Sequence, residues 1–131
     1  MKSDEIKHVS EGELMSAAFA YGRSIAAVIE KRDPGMVNRP LIDSLQAALN
    51  VRISSIQPGD SVLLDIEQKL IEAYTSGAGQ VDIADDVQNI SPDSILYTKP
   101  IMHERPDGSV EFTRALSIHM PTRSVVLSIE D

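Results

Sequence analysis

Cysteine and tryptophan are absent from this chain, and aromatic residues of any kind make up only 4% of its 131 residues. Without Cys there can be no disulfide, no thiolate zinc site and no cysteine nucleophile. The scarcity of rings means that the core has to be built from aliphatic side chains. Long apolar runs are missing too. The best stretch, Leu14 to Ile29, is broken by Ser16, Gly22, Arg23 and Ser24, whereas a membrane span needs roughly 18–20 apolar residues. Residues Met1 to His8 lack the apolar segment of a signal peptide. Neither secretion nor membrane anchoring is expected, and a cytoplasmic location is the default expectation.

Positive charge is also in short supply. Twelve Lys and Arg stand against twenty Asp and Glu, for a net charge of −8. The excess is concentrated: residues 51–93 carry eight acids and two bases. Direct binding to nucleic acid is not expected, because that affinity comes from cations neutralising phosphates. Such a segment serves solubility, or a cationic partner.

What is present reads as one α+β domain over residues 1–131, with residues 1–9 as a tail and N-terminal helices packed on a C-terminal antiparallel β-meander. Ser10-Glu11-Gly12-Glu13 fits a capping box, opening a helix that runs to about Lys31. Leu14, Ala18, Tyr21, Ile25, Val28 and Ile29 form its apolar stripe. Asp33-Pro34-Gly35 ends it, and Asn38-Arg39-Pro40 starts a second helix that Asn50 caps. Val51 to Ile56 is a short strand or a linker, and Gln57 to Asp60 a turn. Ser61 to Tyr74 suits a helix by propensity. Gly77-Ala-Gly79 breaks it, Gln80 to Ile83 suits a short strand, and Asp85 to Asp93 a polar connection or single helical turn.

From Ser94 to Ile129 the alternation of side chains suggests three strands. Arg105-Pro106-Asp107-Gly108 is a hairpin turn. It pairs Glu104 with Val110, Met102 with Phe112, Ile101 with Thr113, Thr98 with Leu116 and Ile95 with His119. Met120 to Arg123 would be a second turn, leading into a strand over Arg123 to Ile129. That register puts Phe112, Leu116, Ile118, Val125 and Leu127 on one buried face, with Arg114 among them. Ile95, Tyr97, Ile101 and Val126 lie on the opposite face. So many apolar groups there call for a cover, either a second subunit or a returning part of the chain.

Arg114 is the leading candidate for a ligand or interface anchor, because a guanidinium in apolar surroundings has to be paired. Its partner would be an anionic ligand, an interface acid, or an internal acid such as Asp65 or Glu72. Arg105, Arg123, Tyr97 and His119 are candidates to share that site. The histidines do not form a metal site in this register, since His103 and His119 lie near opposite ends of the strands. Asp82, Asp85 and Asp86 lack the pattern of an EF-hand loop. No serine sits in a nucleophile elbow. No catalytic residue, metal or cofactor is therefore expected.

The sequence points to a non-catalytic protein-interaction or inhibitor module that associates with itself through its sheet, as a homo-oligomer, or with another protein. One alternative is an acidic decoy that inhibits a nucleic-acid-binding protein, in the manner of phage anti-defence proteins. Another is a sequestering protein or enzyme that holds an anionic small ligand at Arg114.

Overall fold

The computed structural model describes residues 10–60, 63–76 and 84–129. The expected tail, the Gln80 to Ile83 strand and Asp82 lie outside the described residues. The architecture is α+β. Helices α1 (Glu11–Arg32) and α2 (Arg39–Leu49) come first, then strand β1 (Arg52–Ile56) and helix α3 (Asp65–Ser76). Strands β2 (Asp86–Ser91), β3 (Ser94–Glu104) and β4 (Val110–Pro121) follow, and helix α4 (Thr122–Ile129) comes last. The sheet is antiparallel in the order β1-β4-β3-β2. Its β2-β3-β4 portion is the meander, displaced one strand toward the N-terminus from the expected one.

The caps act as the sequence suggests. The Ser10 hydroxyl accepts from the Glu13 N–H, and the Glu13 carboxylate accepts from the Ser10 N–H. The Asn38 side chain accepts from the Leu41 N–H, and Asn50 ends α2 in the left-handed region at φ 55°. Ser61 and Val62 of the expected helix lie outside the described residues, and α3 starts at Asp65. The Leu64 carbonyl accepts from the Gln68 N–H, and the Leu64 N–H is taken by the Glu67 carboxylate, so Leu64 is the N-cap residue.

Three readings are corrected. Asp85 to Asp93 is neither a polar connection nor a helical turn; most of it forms edge strand β2, paired with β3 from Asp86↔Thr98 to Ser91↔Ser94. Arg123 to Ile129 is not a strand. The place beside β4 is filled by β1, and Thr122 onward turns into α4, held at its start by bonds from Thr122 N to the Asp93 carbonyl and from Thr122 Oγ1 to the Pro92 carbonyl. The third concerns register. The hairpin pairs Glu104↔Val110 and Met102↔Phe112 as expected, but then shifts, so that Ile101 faces Arg114 and Thr98 faces Ser117. Thr113 is the extra residue of this β-bulge.

The bulge decides the two faces of the sheet. Ile53, Ile95, Tyr97, Leu116, Ile118 and Met120 face α1, α2 and α4, together with Val125 of α4. Ile56, Ala115 and Phe112 face α3, against Ile71 and Tyr74. Phe112 thus leaves the face that holds Leu116, and Leu127 is exposed.

Candidate functional site

The structure separates the residues grouped around Arg114. Arg105, at the hairpin tip, pairs with Glu111 in an exposed ion pair. Arg123 is exposed on α4. Tyr97 is fully buried beneath α1, its ring edge-on to Phe19, and its hydroxyl donates to Asp85 at 2.7 Å. Ile95 is fully buried on the same side and Ile101 packs there half-buried, while Val126 is a half-buried residue of α4 and not of the sheet. The apolar face that called for a second subunit is therefore covered by the chain's own helices.

Three clusters of polar side chains stand out. In the first, Arg23 reaches across from α1 to grip Asp85 through Nε and Nη2, at 2.8 and 3.1 Å, while stacking over Phe19. Asp85 also accepts from Tyr97. The Arg23 hydrogen bond outweighs burial and holds the Asp85 carboxyl below the usual carboxylate range. Burial and the neighbouring carboxylate push the Tyr97 hydroxyl far up. Lys99 and Glu30 close the same cleft with an ion pair at 2.6 Å. Every charge here has its partner, and the cluster pins α1 to β3.

The second cluster joins α3 to β4. Glu67 is 5% exposed, and its Oε2 accepts from the fully buried Ser117 hydroxyl at 2.7 Å. The same oxygen lies 3.2 Å from His119 Nε2. Burial raises the Glu67 pKa, but the hydrogen bonds from Leu64, Ser117 and His119 prevail and leave it below its ordinary value. A serine nucleophile would need its hydroxyl on the histidine ring, with the carboxylate behind the other nitrogen. Here serine and histidine converge on one carboxylate oxygen, which makes a clamp rather than a charge relay. Nearby, the Tyr74 hydroxyl bonds to Thr98 at 2.8 Å, and burial pushes its pKa up to about 12.

The third cluster surrounds edge strand β1, which has a cleft on each side. On the α3 side a cleft of about 490 Å³ is lined by Asp60, Leu63, Leu64, Glu67 and His119, with Ile56 of the strand. On the α2 side a cleft of about 470 Å³ is lined by Met36, Arg39, Ile42, Gln46 and Arg114. Arg52, Ser54, Ser55 and His119 border both. Arg114, the leading candidate, thus shares the second cleft with His119 alone of its expected companions. Its guanidinium donates to the carbonyls of Pro34 and Gly35, at 2.7 and 3.2 Å, rather than to Asp65 or Glu72. Arg39 and Arg52 were not singled out from the sequence. Their only signal is type and position: Arg39 opens α2 and Arg52 opens β1, elements brought together only by tertiary packing.

The outer edge of β1 is partly occupied. The Ile53 N–H donates to Gln46 Oε1 at 2.8 Å, so Ile53 is a non-hydrogen-bonded partner of Ile118. By the antiparallel alternation, the N–H and C=O of Ser55 also point away from β4, toward solvent.

Among the described residues no group of three or more metal-ligating side chains occurs, and no helix is long and apolar enough to cross a membrane. Comparison with protein families, with curated proteins and with solved structures yields no match.

Proposed function

We propose that this chain is a non-catalytic protein-interaction module whose partner adds an extended, acidic segment to the outer edge of β1. The observation that carries this reading is the pairing of a strand edge that is only partly occupied among the described residues with clefts on both of its sides. A strand laid along that edge sends alternate side chains to opposite faces. One set enters the cleft of Arg39 and Arg114, and the other meets Leu63 and Leu64, the latter 43% exposed. Main-chain bonds to Ser55 would supply affinity, and the clefts selectivity. Gln46 holds the place of a partner carbonyl at Ile53 and would yield it.

Charge favours a heterologous partner over a second copy. Two copies joined at β1 would bring Arg39, Arg52 and Arg114 of each close to those of the other, and like charges facing one another oppose association. Both sheet faces are covered, so self-association through the sheet would have to use an edge.

An alternating Glu-Val hexapeptide, followed by fluorescence anisotropy, tests the reading. Ser55→Pro removes an N–H that points away from β4, a change that edge strands tolerate. The variant should bind the peptide about tenfold more weakly, as expected for losing a strand hydrogen bond and its neighbours, and binding should weaken with added salt. Equal binding by a folded Ser55→Pro protein would overturn strand addition.

A further inference from the structure

We infer that the cleft between α2 and β1 is a receptor for an oxyanion, a carboxylate or a phosphate, held by Arg114, Arg52 and Arg39. This deepens the strand-addition reading by naming the group recognised, and it rests on that reading for the direction of approach but not for its chemistry.

In a chain with eight more acids than bases, three arginines line one cleft of about 470 Å³, and among the described residues no carboxylate lines it. The contrast with the other charged clusters is sharp. Arg23, Lys99 and Arg105 each have a carboxylate within 2.9 Å. Arg114 spends two of its five N–H donors on the neutral carbonyls of Pro34 and Gly35, which orient the guanidinium without cancelling its charge. Arg52 has no ion pair among the described residues, and Arg39 has only a contact at 4.0 Å with Asp43, both side chains being largely exposed.

The loop that aims Arg114 is itself hydrogen-bonded. The buried Asp33 carboxylate accepts from the N–H groups of Val37 and Asn38, at 3.0 and 2.7 Å, and so fixes the loop whose carbonyls Arg114 grips. The first turn of α2 carries no acid to offset its dipole. Ser54 and Ser55 are exposed at the rim and supply neutral donors. A planar guanidinium with N–H groups to spare, set beside two exposed ones, suits an oxygen-rich anion with two or more acceptor atoms.

Titration of the whole protein with inorganic phosphate, followed by amide and guanidinium NMR shifts, tests the site. Saturable shifts should centre on Arg114, Ser55 and Arg39. Arg52→Gln, which removes an exposed side chain and leaves the fold intact, should weaken binding about tenfold, and Arg114→Gln at least as much. Arg105→Gln, at the distant hairpin tip, should leave binding unchanged. Shifts that never saturate, or an equal loss in the Arg105→Gln protein, would overturn the inference. The source of the anion is read by competition. Displacement of phosphate by the Glu-Val peptide assigns the site to acidic side chains, and persistence of bound phosphate assigns it to a free small anion. Leu64→Ala, on the α3 side of β1 and outside this cleft, separates the two proposals, since it should weaken peptide binding while phosphate still binds.

Discussion

Tyr97 shows how much one residue can depend on another's missing atoms. Its ring lies so close to α1 that a Cβ on Gly22 would sit 2.4 Å from Cγ and 2.5 Å from Cδ1. The ring cannot retreat, because it is fully buried and its hydroxyl is tied to Asp85. Gly22→Ala should therefore destabilise the protein by about 1–3 kcal/mol through overpacking, despite the better helix propensity of Ala. Urea unfolding monitored by circular dichroism measures this, and a neutral or stabilising result would contradict the packing described. Glu67 makes the complementary case, a buried charge that is well supplied with donors. Glu67→Ala leaves the buried Ser117 hydroxyl without its acceptor, at a cost of about 1–3 kcal/mol, and also removes the acceptor of the part-buried Leu64 N–H. Gly22 could be seen in the sequence as part of a small-residue face. Its contact could not, because unbroken alternation puts Tyr97 on the far side of the sheet from the face that holds Phe112 and Leu116.

Elements were legible where local chemistry and tertiary context agree. The boxed start of α1, the Pro-led start of α2 and the Arg105 to Gly108 hairpin all carry caps or turn residues that act within a few positions, and all stand where the sequence places them. The failures share a different cause. Val125, Val126 and Leu127 have strand-like composition, yet β1 already occupies the neighbouring place in the sheet, and Val125 is buried against α1 within a short helix. In β2 the polar residues Asp86, Gln88 and Asn89 hide a strand because an edge needs few apolar groups, with only Val87 packing on the core. The helical assignment of α4 has a clear test. In a strand Val125 and Leu127 would share a face and matter equally, whereas here one is fully buried and the other 52% exposed. Val125→Ala should cost about 2 kcal/mol, and Leu127→Ala no more than about 0.5 kcal/mol. Thermal unfolding of both variants decides between them.

At the scale of the whole molecule, opposite charges are sorted rather than mixed. Acids that lie between the layers are held by donors, while the arginines around β1 have, among the described residues, no carboxylate closer than the 4.0 Å contact of Arg39 with Asp43. Glu67 and Asp85 bridge the sheet to α3 and α1 respectively, and both have folded pKa values below their ordinary ones. A depressed carboxylate pKa gives stability that is fully present above the unfolded value, near 4, and is lost as pH falls through the folded value. Stability should thus be flat from neutral pH down to about 5 and fall steeply below about 4. Urea midpoints measured across that range test this, and the Glu67→Ala protein should show a shallower fall than the wild type. The anion cleft was only partly legible for a related reason. Arg114 drew notice as a charge in an apolar pattern, but its companions Arg39 and Arg52 lie 75 and 62 positions away in the chain, and no periodicity links them.

The single surplus residue at Thr113 has a mechanical consequence. By turning the tip of the β3-β4 hairpin over relative to its base, it lets one ribbon act as a rivet, with Phe112 driven into the α3 layer against Tyr74 at 5.5 Å between ring centres and Leu116 into the α1 layer. Deleting Thr113 would restore an even weave, swing Phe112 away from Tyr74, and unfasten one helical layer while leaving the other seated.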